Sequence, residues 1–509
     1  MDIYSILEEV FTYNEGSAII FTRLSFWVFF TVLLVGYLFI YKKTHLAKSL
    51  YLFAFSIFFY YKSSGVYFLL LLFSTTLDFH LAQAIYRSHR ALARRLLVAL
   101  SVTVNLGLLA YFKYAYFFTS VINDFFGIKC RVVNIFSAAV NMATGAERFD
   151  VDSLILPIGI SFYTFQILSY TIDVYRRKVK PVDSIVDFGF YVSFFPSLVA
   201  GPIVRASEFI PQIYRKYSVT RREMWHAVFL ILNGLVKKIA ISDYISLNFV
   251  DRVFDNPELY TGFELLMGSY GYAIQIYCDF SGYTDIAIGV ALLLGFRLPL
   301  NFNAPYCATG VRDFWRRWHI SLSSWLRDYL YIPLGGSRKG KLRTHLNLML
   351  TMLLGGLWHG ASYKFIAWGG LHGLALAADR LWERRRAARQ GKAKLPRFLL
   401  VLLTFHFVCL TWIFFRAADV SLALDFIRRI GAEFYASAIP EVVSGYSVIF
   451  GLILAAYVMH FLPQKFKIRY REAFVSLPIA AKILAVLLVV FCLYQASSSE
   501  LQPFIYFQF

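Results

Sequence analysis

A chain of 509 residues that is 58% hydrophobic and only 16% charged does not partition like a water-soluble domain, in which about a quarter of residues carry charge. A mean hydropathy of +0.57 and an aromatic content of 18% fit a polytopic membrane protein, whose Tyr and Trp line both membrane interfaces. The net charge of +20 does not point to nucleic acid, because the basic residues fall in short runs between apolar segments, as the positive-inside rule expects of cytoplasmic loops. Anionic lipid heads and an anionic cytosolic donor are the partners that fit such a charge.

The chain opens MDIYSILEEVFTYNEG, acidic ahead of its first apolar run and so unlike a cleaved signal peptide. Apolar runs then follow at residues 25–41, 50–61, 66–79, 96–118, 154–172, 188–199, 227–241, 266–294, 345–358, 364–378, 398–415, 447–461 and 480–494. About 20 residues cross a hydrocarbon core of ~30 Å, so the shorter runs are expected to be tilted, broken or re-entrant. Such backbone is tolerated only where protein or a water-filled cavity shields it. The predicted fold is all-α and polytopic, with about 11–13 membrane helices of this length plus re-entrant and interfacial helices. It forms one membrane-embedded domain over 1–509, without a soluble domain or a repeat of fixed period.

Basic runs lie at 42–43, 87–95, 176–180, 215–222, 338–343 and 383–397, the last (ERRRAARQGKAKLPR) being the strongest cytoplasmic signal. Residues 123–150 are more polar and are placed outside. The five cysteines, Cys130, Cys278, Cys307, Cys409 and Cys492, have no metal spacing and are odd in number, which argues against a disulfide framework. Cys278, Cys409 and Cys492 lie in apolar runs and read as small hydrophobes.

The chemistry concentrates in residues 311–360, VRDFWRRWHISLSSWLRDYLYIPLGGSRKGKLRTHLNLMLTMLLGGLWHG. Phe314, Trp315 and Trp318 recur at i, i+1 and i+4, which makes an aromatic helix face. Ile320, Ser323, Trp325 and Leu326 extend it into an amphipathic helix at the interface, ended by Pro333-Leu334-Gly335-Gly336. His319 is thereby placed on an interfacial helix. His359 is the sharper signal: it ends an uncharged run that includes Gly355-Gly356 and precedes Gly360. An ionisable group there is a functional-site hypothesis by default, and imidazole exchanges protons near neutral pH as a general base must. The competing reading is a histidine that bonds a carbonyl between helices. His372, four residues beyond Trp368, reads as structural or pocket-lining.

Asp279 and Asp285 lie within an apolar run but six residues apart, so they do not share a helix face; either could orient a histidine or pair with an arginine, and structural pairing is the default expectation. No metal site is expected, since the two Trp-His pairs lack HExxH or clustered-ligand spacing. GxGxxG, P-loop and GxSxG motifs are likewise missing from the sequence.

The segments DFWRRWHISLSSWLRDYLYIPLGGSRKG and LLGGLWHGASYKFIAWGGLHG closely resemble the membrane-bound O-acyltransferases, and most of all their bacterial alginate O-acetylation branch. Residues 157–176, 194–205 and 275–306 resemble the same branch, so the likeness covers roughly 150–380. The resemblance implies a ring of tilted helices around a thinned centre, with a funnel from each side meeting near the family's intramembrane histidine, here His359. The family's second motif histidine falls on His319. Acyl groups would enter as a cytosolic thioester, acetyl-CoA in this branch, with no bound cofactor. They would leave on a hydroxyl at the far side of the bacterial cytoplasmic (inner) membrane. The expected partners are membrane lipids, a periplasmic or membrane-anchored SGNH-type acetyltransferase and a polysaccharide synthase complex.

On this view His359 is the base, and His319 orients the donor or shares the proton. Trp318, Trp358, Asn301 and Asn303 are candidate pocket or oxyanion groups, while Arg312, Arg316, Arg317, Arg327 and Arg338 suit donor phosphates. The final FIYFQF resembles the end of the small partner peptide of D-alanylation relatives, which makes Tyr506 a candidate acyl relay; an apolar tail packed on lipid is the alternative. Other acceptors (teichoic acid, peptidoglycan, cellulose, a lipid) stay open. A transporter would need inverted repeats, and no such symmetry is visible in the sequence.

Overall fold

Every one of those apolar runs carries helix in the computed structural model, which describes residues 12–13, 19–145, 150–199, 201–388 and 396–496. No strand occurs among the described residues. Five helices there are long and apolar enough to cross a bilayer: His45–Arg87, Ala91–Phe126, Arg221–Asp255, Gly262–Leu293 and Arg397–Arg416. Two further pairs pass only together, Ala436–Gly445 with Ser447–Phe461 and Gln464–Ser476 with Ile479–Gln495, bent by 89° and 115° at their breaks. The other apolar runs form shorter or more polar helices. The chain is a multi-pass membrane protein.

Contacts divide the chain into two units. The first holds residues 29–199 and 205–215 among others, and its centre is built by α1 (Phe68–Arg87), α2 (Ala91–Phe126) and α3 (Ile160–Tyr175). Asp78 on α1 is fully buried. Its carboxylate accepts from Ser101 and from Asn105 (2.6 Å) on α2, and from Thr171 (2.8 Å) on α3. A polar group inside lipid or protein must find partners within the fold, and this one ties three helices together.

The second unit, which includes residues 21–28, 201–204, 216–388 and 396–496, contains both Trp-His pairs. Its axis is α5 (Gly262–Leu293), packed against α4 (Arg221–Leu235). Both begin with the same capping box, Thr220 with Glu223 and Thr261 with Glu264, which satisfies two end N–H groups at each start. At 1.5 Å per residue α5 is about 48 Å long, more than the ~30 Å of a hydrocarbon core. The two backbones touch: a Cβ on Gly282 would lie 2.7 Å from the Gly234 carbonyl oxygen, and one on Gly234 2.5 Å from that of Gly282. Glycine here is a packing requirement, as where membrane helices approach closely.

After Leu235 the backbone widens into π-turns over Val236–Asp243 and Ser246–Val250. Adjacent Lys237 and Lys238 lie on this stretch. Lys237 pairs with Asp285 (2.7 Å), which also accepts from Asn233 (2.8 Å). Lys238 pairs with Asp279 (2.5 Å) and Asp243 (2.7 Å). Structural pairing of Asp279 and Asp285 is thus what the fold provides, with lysines as the partners. Gln275 continues the polar ladder, donating to Ser246 (2.8 Å), which donates to Asp251 (2.5 Å), itself paired with Arg416 (2.7 Å).

Lys238→Met should cost about 3–5 kcal/mol, since it leaves buried carboxylates without their cation. The Lys238→Met/Asp279→Leu double variant should recover part of that loss. With Cys130, Cys307 and Cys492 blocked, thermal exposure of buried Cys278 and Cys409 to a thiol-reactive dye reports unfolding. An unchanged midpoint in Lys238→Met would contradict the assignment.

Candidate active site

The chain leaves α5 through Gly295, whose φ of +90° suits glycine, and runs extended towards Asn301. It then enters α6 (Val311–Trp315), turns at 316–319, and resumes as α7 (Ile320–Leu326). The turn is stitched to the extended segment at two points: Asn303 N–H donates to Arg317 O (2.9 Å), and Ile320 N–H to Asn301 O (3.0 Å).

His319 is therefore not on an interfacial helix. It is fully buried and sits at the break between two short helices with φ +42°, a left-handed conformation that costs an L-residue roughly 1–2 kcal/mol. The aromatic spacing that suggested one continuous helix reflects packing instead: Trp318 stacks among Phe302, Phe314 and Trp412, with centroids 5.0, 5.7 and 5.0 Å away. Unusual backbone of this kind clusters at functional sites.

Asn301 holds the turn. Its Oδ1 accepts from the backbone N–H (3.1 Å) and hydroxyl (2.9 Å) of Ser321 and lies 3.2 Å from His319 Nδ1. The Ser321 N–H can only donate, so the Asn301 atom facing it is the oxygen. His319 Nδ1 must then carry the proton, and Nε2 presents its lone pair. Both His319 Nε2 and Asn301 Nδ2 are buried, and neither has a hydrogen-bond partner among the described residues. One acceptor and one donor remain to be satisfied there. Ser321, which no motif in the sequence singles out, also accepts from Ile203 N–H (3.0 Å).

His359 arrives on a different support. α8 (Lys341–His359) and α9 (Tyr363–Ala388) form a tight hairpin. A Cβ on Gly356 would lie 2.2 Å from Phe365 O, and one on Gly369 2.3 Å from Met352 O, so small residues set the separation. The buried imidazole of His359 meets the edges or faces of Trp358, Trp368 and Phe415 at 5.0, 5.2 and 5.3 Å. Trp358 also neighbours His319, at 6.2 Å between centroids. The two Trp-His pairs, 40 residues apart in sequence, thus share one aromatic cluster. His372 lies nearby with both nitrogens engaged, Nδ1 by Trp315 Nε1–H (3.3 Å) and Nε2 by Thr411 (3.0 Å).

The remaining predicted residues divide. Asn303 is exposed and contributes its backbone, so Asn301 is the asparagine of the site. Arg317 is paired with Asp313 (2.8 Å) and Arg327 with Asp328 (2.6 Å). Arg316 and Arg338 are exposed, and Arg312 is half-buried, its N–H given to Asp379 (3.0 Å). Tyr506 lies outside the described residues.

Two buried histidines are thus gathered by a helical hairpin and a turn in a multi-pass fold. The profile of the membrane-bound O-acyltransferase family matches residues 154–418. A peptidoglycan O-acetyltransferase of Helicobacter pylori is 36% identical over 435 residues, 80% of this chain and 78% of the relative. A probable alginate O-acetylase of Pseudomonas putida is 36% identical over 432 residues, 81% and 84% respectively. A teichoic acid D-alanyltransferase of Bacillus subtilis is 28% identical over 277 residues, 50% and 68%. The chain belongs to the membrane-bound O-acyltransferase family and is an acyltransferase.

Asn301→Leu removes the acceptor for Ser321 N–H and His319 Nδ1 and should destabilise the fold by about 1–3 kcal/mol, while Asn301→Asp, which keeps an acceptor oxygen, should lose less. The same thiol-exposure melt checks this; equal stability of Asn301→Leu and wild type would mean that the turn does not depend on Asn301.

Proposed function

We propose that this acyltransferase moves an acetyl group from cytosolic acetyl-CoA to a hydroxyl acceptor across the bacterial inner membrane, for O-acetylation of a cell-envelope polysaccharide. Similarity to named acetyl-transferring relatives over about four fifths of the chain supports the acetyl group and the envelope acceptor. An SGNH-type protein and a polysaccharide synthase are the partners that would carry the group onward, with Tyr506 as a covalent relay between the donor and the final acceptor.

The observation that carries the mechanism is the shared aromatic cluster of His319 and His359. The acceptor oxygen attacks the thioester carbon, its proton passes to His359, and the C–S bond breaks. The departing thiolate then takes up a proton, so charge and atoms balance. His319, with its proton held on Nδ1, presents an acceptor at Nε2 and so suits an N–H or O–H of donor or acceptor. It cannot supply the hydrogen bond to a developing oxyanion in this tautomer. Asn301 Nδ2 can, and is the better candidate for that role. Arg316 and Arg338 are the candidate arginines for the donor's phosphates, being exposed.

In vesicles containing the purified protein and its acceptor, His359→Ala should lower transfer of label from acetyl-CoA by about 10²–10⁴-fold, the usual worth of a general base. His319→Ala should reduce it to a similar degree. Undiminished transfer by His359→Ala would remove it as base, and movement of intact acetyl-CoA across the membrane would favour a transporter. Tyr506→Phe should abolish onward transfer; full transfer would end the relay idea.

A further inference from the structure

Beside the site, and not used by it, lies a cavity of about 730 Å³. It lies along α10 (Arg397–Arg416) and α11 (Ser447–Phe461), with Tyr270 of α5 behind them. Leu402, Phe405, Tyr457 and Phe461 wall it, and Arg397, at the start of α10, is the one charged residue among those lining it. That end is basic. Burial raises the thiol of Cys307, which also lines the groove, above its ordinary range, and the charges of Lys467, Arg317 and Arg397 oppose the shift. Arg317 is balanced by Asp313 (2.8 Å). Lys467 gives one N–H to the His460 carbonyl (2.7 Å) and keeps two more, and Arg397 is exposed.

The position fits these chemistries. α10 starts at Arg397 and α11 ends at Phe461, six residues before Lys467. The charged end thus coincides with helix termini, where head groups sit, and the apolar length follows the helices into the hydrocarbon. A neutral lipid leaves the cations unexplained. A water-soluble anion leaves the apolar walls unexplained.

We propose that this groove holds one acyl chain of an anionic phospholipid, with its phosphate between Arg397 and Lys467. The inner wall connects the lipid to the site. Phe405 and Tyr457 pack on Tyr306 (5.6 and 6.5 Å), and Tyr306 packs on Trp318 (6.4 Å), the residue before His319. A chain in the groove therefore supports the aromatic wall behind the strained turn, and activity should rise with anionic lipid.

A phosphatidylglycerol carrying a diazirine in its acyl chain tests this on the full chain in phosphatidylcholine nanodiscs. Residues 398–405 should be labelled in wild type, and unlabelled phosphatidylglycerol, but not phosphatidylcholine, should compete. The R397Q/K467Q variant should need about 10- to 30-fold more phosphatidylglycerol for the same labelling, taking ~1 kcal/mol per basic residue at a lipid surface. Val401→Trp, which fills the groove, should lose the label while Cys278 and Cys409 stay protected. Equal labelling by a phosphatidylcholine probe would reduce the groove to ordinary lipid contact and overturn the proposal. Displacement of the probe by acetyl-CoA would also overturn it, by giving the cations to the donor. Should either variant misfold, the competition on wild type alone decides.

Discussion

The hydrogen bonds converging on Asn301 Oδ1 are the interaction on which the rest of the site depends. One side-chain oxygen satisfies the Ser321 N–H and hydroxyl, faces His319 Nδ1, and so holds a non-glycine residue in left-handed backbone. A charged acceptor would have pulled the histidine toward its cationic form; an apolar residue would have left buried donors unpaired. The amide does neither. It fixes the tautomer and leaves the opposite nitrogen for a ligand.

The scaffolding around this turn follows from the constraint of a protein that cannot rely on water inside the bilayer. Charges between the helices of the second unit are paired: Lys237 with Asp285, Lys238 with Asp279 and Asp243, Arg416 with Asp251. Such pairs repay their desolvation poorly as stability, but each restricts how neighbouring helices can slide, because a small shift would strand a charge. Backbone contact at Gly234/Gly282 and Gly356/Gly369 complements them by fixing helix separation. Register and distance are thus set by different interactions, and the two Trp-His segments are delivered to one cluster with little freedom.

Trp358 shows how tightly site and scaffold are joined. It lies against both histidines, while Trp368 packs on His359, His372 and Trp412, and Trp412 on Trp318. Rigid aromatic side chains have few rotamers and lose little entropy on packing, which suits a site that must hold catalytic groups within a small tolerance. The lipid-facing groove reaches the same cluster through Tyr306, so the membrane becomes part of the site's support.

Much of this was legible in the sequence. The membrane class followed from composition and the helices from apolar runs, because each is a local property of the chain, and His359 stood out as an ionisable group ending an apolar run. The motif stretch also carried the family likeness. The sequence misled at His319, where i, i+1, i+4 aromatic spacing suits a helix face and equally well a packed turn; only the Asn301 contact, made across 18 residues, distinguishes them. It could not show that Lys237 and Lys238 would both find carboxylates, since that depends on π-turns rotating successive side chains toward α5. Nor could it show that two histidines 40 residues apart share one tryptophan. Apolar periodicity encodes which surfaces are buried, but which buried groups meet is decided by how helices pack, and that is a property of the tertiary structure alone.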